Sequence, residues 1–383
     1  MEVAREVSVT QNIYEILRRY EFNRTEPETL VGLVEEAVDK GEAAREEQER
    51  LRKVSADLLT LLREEGLILD TDLKGLEDTL KECAAGVDGS HQPVGGVGGK
   101  WYVPLSCALV VFRHGIQGAP EIEVESHIEV IQEEEFRRIG ILSSERMFQV
   151  ETKAIMRWAM RGEPSVLFID GPVVDPPLHK DPEYIRYRCS AIQECLRRDI
   201  RVIGCAKRVK DTHFKKYLMS QVVQDEAKKA KLSMFPSDLQ LMAFVFAHYW
   251  RQNGGSGKGV YTRPIDVSEV TEVYKLYHEN GLRILSTFVQ KSVGQYILRL
   301  DVPFIDVELP EETKLLSQVT QAIRATFAWT YPDQNIPLPI FLADAKCEIR
   351  RGCAEVLYEE IMTRTRTTEP IDQIVALQLE ARS

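Results

Sequence analysis

Apolar residues recur with a helical period at the start of the chain and in strand-like runs after about residue 83. In residues 1–82, Leu51, Leu58 and Leu62 stand at helical spacing among many charged side chains. Two heptads are too few to indicate a coiled coil. We therefore predict a helical N-terminal region over residues 1–82, and we expect it to act as a docking or dimerisation arm.

The apolar runs after residue 83 predict strands that are first consecutive and then alternate with helices. Three runs joined by turns predict an antiparallel meander, which is followed by helix, strand, helix and strand. This order predicts an α/β fold in which a mixed five-stranded sheet is flanked by helices. The predicted strands are 86–91, 101–112, 121–131, 165–170 and 201–207, and the predicted helices are 144–161 and 182–198.

The rest of the chain is predicted to complete the same domain, which we assign to residues 83–383. Residues 211–280 read as a helical insertion that ends near the glycine-rich stretch "RQNGGSGKGV". Two further strands, "RILSTFVQK" and "QYILRLDVP", come next. A final helix begins near "LPIFLADAKCEI", and its apolar stripe is predicted to continue to Ile361.

Composition predicts a soluble globular protein, which we expect to be cytoplasmic. Of its 383 residues, 44% are hydrophobic and 28% are charged, which is typical of a globular domain. The first residues contain acids where a signal peptide has a basic and then an apolar region, and no apolar run is long enough to span a bilayer. The seven cysteines form no C-x-x-C pair, so we expect reduced, buried thiols.

The charge is distributed unevenly. The net charge is −11, and residues 1–82 hold 12 basic and 21 acidic residues, a local net charge of −9. Residues 201–231 hold nine basic and three acidic residues, a local net charge of +6. An acidic protein with such a segment can present a basic face to a polyanion, although surface lysines of a solvated helix give the same pattern.

Four carboxylates stand where an ionised group is expensive to hold. Asp88 in "VDGS" and Asp170 in "FIDGP" end apolar strands, each followed by glycine. Glu151 lies on the apolar stripe of a predicted helix, and Asp344 lies at the edge of the stripe of the last helix. A carboxylate in such a place needs a cation, a hydrogen bond or a metal, and for Glu151 a buried ion pair is the alternative.

The predicted sheet brings the four carboxylates together, which favours a metal site. Clustered acids raise one another's pKa values, and divalent cations remove that penalty. Oxygen ligands select Mg²⁺ or Mn²⁺ rather than zinc. Two such ions activate water and stabilise the leaving oxygen of a phosphodiester. The chemistry that fits is metal-assisted phosphodiester hydrolysis.

With these motifs in this order, the chain resembles the NurA family of nucleases. The segments "VDGS", "MFQVETKAI", "FIDGP", "IGCAKR" and "IPLPIFLADAKCEI" carry the resemblance, which spans about residues 84–360. It implies an RNase H-like fold, dependence on Mn²⁺ or Mg²⁺, and degradation of DNA from 5′ ends with internal cutting of single strands. It also implies a homodimer that works with a hexameric HerA-type ATPase in DNA end resection.

The resemblance assigns roles by position. Asp88, Glu151 and Asp170 match the metal-ligating carboxylates of the family, and Lys207 matches a basic residue expected to contact phosphate. Many members carry histidine where this chain has Asp344, so we assign Asp344 as a fourth metal ligand rather than a general acid. All four carboxylates are predicted to be catalytic. The predicted DNA-binding residues are Lys207, Arg208 and Lys210.

Alternatives remain open at this stage. We interpret Asp175 in "VVDPP" as a turn residue, and Tyr261 and Tyr331 as core or surface residues rather than base-stacking ones. The same site would suit an RNase H-like nuclease acting on RNA, an RNA–DNA hybrid or a branched junction. A catalytically silent, DNA-binding adaptor of the motor is the alternative from another class.

Overall fold

The computed structural model describes residues 27–96, 99–133, 135–161, 163–175, 180–255 and 257–364. The chain divides into two compact units, Met1–Val54 and Ser55–Ser383. The described part of the first unit is helical, and most of its side chains are exposed. The second unit contains the sheet and the other helices. Within the described ranges, no helix combines the length and the apolarity needed to cross a membrane.

Strands and helices of the second unit mostly follow one another in runs, and they alternate singly between Glu121 and Ala206. The strands are β1 (Ile68–Asp72), β2 (Ala84–His91), β3 (Val94–Gly95), β4 (Lys100–Phe112), β5 (Glu121–Gln132), β6 (Ser165–Asp170), β7 (Ile200–Ala206), β8 (Lys258–Thr262), β9 (Ile265–Asp266), β10 (Leu282–Gln290) and β11 (Leu298–Ile305). The helices are α1 (Pro27–Glu64), α2 (Phe136–Arg161), α3 (Pro182–Arg197), α4 (His213–Tyr217), α5 (Glu226–Ser233), α6 (Asp238–Asn253), α7 (Glu272–Glu279), α8 (Glu312–Trp329), α9 (Leu338–Cys347) and α10 (Arg351–Arg364).

Five strands form the predicted mixed sheet, in the spatial order β5-β4-β2-β6-β7. The pairs β4–β5 and β2–β4 are antiparallel, whereas β2–β6 and β6–β7 are parallel. The parallel strand β6 has four consecutive apolar residues, 166–169, because it is covered on both faces. The prediction of a mixed five-stranded sheet flanked by helices is confirmed.

The sheet continues beyond these five strands. β11 pairs with β7, β10 with β11, β8 with β10, and β1 with β8, all antiparallel. The short strands β3 and β9 pair with β4 and β10. The two strands predicted after the insertion are β10 and β11. Together with β1, β3, β8 and β9, they extend the central sheet to eleven strands among the described residues.

Three boundaries need correction. The region 1–82 is not wholly helical, because β1 lies in it and pairs with β8. The insertion 211–280 is not wholly helical, since β8 and β9 lie between α6 and α7. The last helix is interrupted: α9 ends at Cys347 and α10 begins at Arg351. At the break, the Ile349 N–H donates to Ser90 Oγ of β2 at 3.0 Å, so the chain there follows the strand instead of the helix.

Helices cover both faces of the central strands. Helix α2 packs against β2 and β4 on one face, and α9 packs against β2, β4 and β6 on the other. At Gly86 of β2, a Cβ would stand 2.3 Å from the Pro339 carbonyl carbon, so the absence of a side chain admits α9. The core beneath α8 and α9 includes Phe168, Trp329 and Ile340, each fully buried. This packing holds α9 in place over the ends of β2 and β6.

Candidate metal centre and nucleic-acid cleft

Three aspartates meet where β2, β6 and α9 come together. In the parallel pair of β2 and β6, Val87 is in register with Ile169, so Asp88 and Asp170 follow side by side. Residues two apart on a strand share a face, which places Asp88 on the same face as Gly86 and hence beneath α9. That helix contributes Asp344. One carboxylate oxygen from each of the three aspartates lies within 4.8 Å of the other two. We call these three residues the carboxylate centre.

The carboxylate centre is mostly shielded from water. Asp88 is 7% exposed, and its Oδ1 accepts a hydrogen bond of 2.9 Å from the Gly89 N–H. The Asp170 side chain is 10% exposed, and its Oδ2 lies 2.7 Å from Lys207 Nζ. Asp344 is exposed at the rim. The centre therefore has two enclosed carboxylates and one that faces the solvent.

Burial and mutual repulsion make the centre costly to ionise. Burial is the largest cause that raises the pKa of Asp88 to about 9, and the charges of Asp170, Glu151 and Asp344 add to it. Burial also raises the pKa of Asp170, although Lys207 opposes that shift. For Lys207, burial lowers the pKa, but the nearby carboxylates more than offset this and its pKa is raised. A divalent cation would relieve the repulsion that these shifts express.

The donor atoms of the centre suit a hard cation. Three carboxylates offer oxygen ligands, which Mg²⁺ and Mn²⁺ prefer. Among the described residues lining the cleft at the centre, none is histidine or cysteine. Cys347 Sγ lies 3.8 Å from Asp88 Oδ2, but burial and Asp88 raise the pKa of this thiol, which disfavours the thiolate that a metal would bind. The residues present therefore fit Mg²⁺ or Mn²⁺ better than zinc.

Glu151 reaches the same strand end from the opposite face. It lies on α2, is 2% exposed, and is not one of the three residues whose oxygens lie within 4.8 Å of one another. A Cβ on Gly89 would stand 2.7 Å from Glu151 Oε1, so only glycine leaves room for the carboxylate there. Burial is the main cause that raises the pKa of Glu151 to about 8, while Arg188 opposes the shift. Of the four predicted carboxylates, the three aspartates therefore lie together, and Glu151 lies on the other face of β2.

A buried ion pair lies beside Glu151, and its acid is Asp175. Asp175, interpreted from the sequence as a turn residue rather than a ligand, lies outside the helices and strands and is not one of the three acids of the carboxylate centre. Its side chain is 1% exposed, and its Oδ1 lies 3.3 Å from Arg188 Nη2. Tyr184 donates a hydrogen bond to Asp175 Oδ2, and Arg188 donates to Thr152 Oγ1 at 3.1 Å. The contact with Arg188 on α3 determines where the Asp175 side chain lies. A charged Arg188 among the apolar residues of α3 was the available signal.

The basic segment after β7 is only partly at the centre. Lys207 and Arg208 line the cleft that contains Asp88, Asp170 and Asp344. Lys210 is exposed but is not among the lining residues. The structure therefore brings two of the three predicted DNA-binding residues to the carboxylates.

The cleft is large enough for a polymer. Its volume is about 1140 Å³, and it is open to solvent along the rim formed by the loop after β10, the residues before α9, and α9 itself. Two aromatic side chains that the sequence pattern did not indicate, Tyr296 and Phe341, line it. Tyr261 is 9% exposed and belongs to the core, as the sequence favoured.

Comparisons with known proteins identify relatives of this fold. Residues 83–349 match the NurA domain. The crystal structure of the NurA nuclease from Sulfolobus solfataricus is similar, with a TM-score of 0.57 and 11% identity over 90% of this chain and 100% of that one. A second crystal structure of NurA gives a TM-score of 0.41 and 13% identity, over 83% of this chain and 97% of that one.

A third solved structure is a more distant match. Ciona intestinalis endonuclease V, crystallised with a 24mer DNA containing an inosine followed by a ribo-adenosine, gives a TM-score of 0.36 and 14% identity, over 82% of this chain and 99% of that one. No curated protein matches the sequence. The NurA domain covers more than half of the 383 residues, and the strand order is that of the RNase H-like fold. The chain therefore belongs to the NurA family of nucleases.

Proposed function

We propose that this protein is a divalent-metal-dependent DNA nuclease that hydrolyses phosphodiester bonds at the carboxylate centre. The observation that carries the proposal is the approach of three carboxylate oxygens to within 4.8 Å of one another in an open cleft. Asp88, Asp170 and Asp344 would hold Mn²⁺ or Mg²⁺, with room for two ions as the working hypothesis. Bound ions would supply the charge that activates water and stabilises the leaving oxygen.

The chain's own residues supply binding and orientation. Lys207 lies at the centre through its ion pair with Asp170, and Arg208 lines the same cleft, so both are placed to contact a phosphate. Glu151 remains a proposed catalytic carboxylate, because the gap at Gly89 lets it approach the end of β2. Its neighbour Arg188 favours the ionised form of Glu151 and is a positioning residue.

The substrate is proposed to be single-stranded DNA and the 5′ ends of DNA. Membership of the NurA family supports 5′-to-3′ exonuclease activity together with endonuclease activity on single strands. It also supports a cytoplasmic role in DNA end resection, homologous recombination and repair, as a homodimer with a hexameric HerA-type ATPase. The basic residues at the cleft agree with a polyanionic substrate.

The N-terminal region is proposed to contribute to assembly with a second copy or with the ATPase. Val31, Leu33 and Val38 are exposed apolar side chains on an acidic helix. Because β1 belongs to the sheet, a deletion should stop before it, and removal of residues 1–50 is the suitable variant. We expect this deletion to weaken self-association in light scattering or ATPase binding while cleavage persists. Unchanged assembly in both measurements would contradict the proposal.

The nuclease proposal is tested by cleavage of end-labelled single-stranded DNA with Mn²⁺ or Mg²⁺. We expect the wild type to cleave and Asp170→Asn to be inactive but folded. Asp78→Asn is the matched control, since Asp78 lies outside the cleft and loses only an exposed ion pair with Lys81. Separate 5′ and 3′ labels report polarity, and RNA and an RNA–DNA hybrid offered beside DNA report the substrate class.

Two results would overturn the proposal. Equal cleavage by the wild type and Asp170→Asn would remove the carboxylate centre from the reaction. No cleavage with either metal, alone and with the ATPase, together with no Mn²⁺ binding in calorimetry, would favour the DNA-binding adaptor.

A further inference from the structure

Exposed aromatic side chains are concentrated at the cleft. Three aromatic residues are prominent among the exposed large side chains of the described chain: Tyr187, Tyr296 and Phe341. Tyr296 is 58% exposed and Phe341 is 40% exposed, and both line the cleft that holds the carboxylate centre. Large apolar surface left in water at a cleft is a feature of binding sites.

Phe341 is tied to the carboxylate centre by its helix. It stands three residues before Asp344 on α9, and residues at that spacing are neighbours on one helix face. Helix α9 is itself fixed to the sheet through the buried Ile340 and its close approach to Gly86. The ring of Phe341 is therefore held beside the rim carboxylate by a rigid element.

Tyr296 is presented by a loop that is held on both sides. Gln295 Nε2 donates to the carbonyl oxygens of Tyr331 at 2.7 Å and Gln334 at 2.9 Å. Gln290 Nε2 donates to the Gln295 carbonyl oxygen at 2.7 Å.

The backbone of Tyr296 is fixed as well. Its N–H donates to Asn335 Oδ1 at 3.0 Å. These bonds join the loop between β10 and β11 to the segment that precedes α9. The backbone of Tyr296 is thus ordered while its ring faces solvent, so a ligand that covers the ring need not first order the loop.

We propose that Tyr296 and Phe341 form a stacking surface for unpaired bases of a single strand whose phosphates contact Lys207 and Arg208. The inference rests on the proposed function of the cleft and specifies its substrate as nucleic acid with exposed base faces. Aromatic rings stack on any base, whereas the bases of a duplex already cover one another. The surface would therefore select single strands over duplexes without reading their sequence.

The test is binding of a fluorescent single-stranded oligonucleotide carrying 2-aminopurine, measured in the full-length Asp170→Asn protein so that the probe stays intact. We expect Tyr296→Ala and Phe341→Ala each to weaken binding about tenfold, as loss of a base-stacking ring does. Both should also reduce the quenching of 2-aminopurine. Tyr296→Phe keeps the ring and should bind within about twofold of its parent.

Tyr187→Ala is the matched control, because Tyr187 is an exposed aromatic residue on α3 that does not line the cleft. It should bind like the parent protein. Duplex DNA of the same length should bind equally to all variants. Melting temperatures within about 2 °C of the parent would show that an exposed ring was removed without damage to the fold.

The outcomes separate this inference from the nuclease proposal. Ring-dependent binding by a protein that never cleaves would support the stacking surface and overturn the nuclease. Cleavage with binding that ignores both rings would support the nuclease and overturn the stacking surface. Absence of single-strand binding by the parent, or an equal loss of duplex binding in the alanine variants, would also overturn it.

Discussion

Aspartates are buried at the carboxylate centre and also in a second group on and beside β11. The two places differ in how the negative charge of the aspartates is balanced. The second group, the arginine cluster, consists of Arg299, Asp301 and Asp211. Asp301 is fully buried, and both of its oxygens accept hydrogen bonds of 3.0 Å from Arg299. Arg299 also pairs with Asp211. Here the buried Arg299 offsets the charges of the fully buried Asp301 and the partly exposed Asp211 within the protein itself.

The carboxylate centre lacks such a balance. Three aspartates with Glu151 behind them face Lys207 and Arg208, both of which also line the open cleft. Burial is the main cause that raises the pKa of Asp88 to about 9, which shows that its ionisation remains unfavourable despite the nearby cations. Buried aspartates are thus structural where a buried arginine neutralises them, and they are available to bind a ligand where no buried arginine does so.

The largest expected effect is at the carboxylate centre. Mutation of a residue that only hydrogen-bonds to a metal ligand lowers metal affinity or activity about 10- to 100-fold. Asp88→Asn replaces a proposed ligand itself, so it should lower Mn²⁺ affinity and cleavage by more than about a hundredfold. The melting temperature in EDTA should not fall, because the substitution removes a carboxyl whose ionisation is opposed by burial and by the neighbouring carboxylates. Calorimetry, the cleavage assay and thermal melting measure the three quantities. A variant that binds Mn²⁺ normally would contradict the assignment.

The same substitution in the arginine cluster should do the reverse. Asp301→Asn leaves Arg299 buried with less compensation, so the free energy of unfolding should fall by about 3 kcal/mol. Cleavage per folded molecule should persist below the melting transition. Urea denaturation provides the measurement. Asp306→Asn is the control, because its partly exposed pair with Arg283 should contribute less than about 1 kcal/mol.

The pH dependence of stability should reveal the uncompensated carboxylates. In the folded protein, burial raises the pKa of Asp88 from 3.8 to about 9 and that of Glu151 from 4.5 to about 8. The folded state then holds protons that the unfolded chain has released, so their contribution to stability is fully present below about pH 4 and is lost as pH rises to about 9.

The difference in melting temperature between the wild type and Asp88→Asn isolates this contribution. In EDTA, the wild type should lose stability relative to the variant between pH 5 and 9. Stabilisation of the wild type by Mn²⁺ should grow over the same range, since metal displaces protons. A difference that does not change with pH would show that Asp88 is ionised throughout.

The smallest expected effect is a difference in single-strand binding between variants of Lys207 and Lys210. Lys207→Ala removes a cation at the carboxylate centre and should weaken single-strand binding, lowering the slope of log affinity against log salt by about one. Lys210→Ala should bind within about twofold of the wild type because Lys210 does not line the cleft. Titrations at several salt concentrations compare the two. Equal losses of binding affinity in the two variants would show that the DNA also contacts Lys210, outside the cleft.

The central fold and most of the site follow from local patterns. Apolar runs and turn residues predict the five central strands, and the position of Asp88 and Asp170 at strand ends predicts their meeting. Asp344 joins them as expected, because α9 packs on β2. Glu151 lies close by on the opposite face of the sheet, where it packs against Gly89. Successive strand residues face opposite sides, so Gly89 faces away from the side of Asp88.

The remainder depends on contacts between distant parts of the chain. β8 is a short, glycine-containing strand whose partner β1 lies about 190 residues earlier, so local propensity does not indicate it. Asp175 follows a partner on α3 rather than the prolines beside it. The exposure of Tyr296 and Phe341 depends on which surfaces the finished fold leaves open, and no local pattern records that.

The placement of Asp344 also bears on how the protein is made. Asp88 and Asp170 are synthesised well before Asp344, which arrives with α9 (Leu338–Cys347). During synthesis the carboxylate centre is therefore incomplete until α9 has been made and has packed on β2. Under the proposed function, a nascent chain could not cleave nucleic acid before this late helix docks.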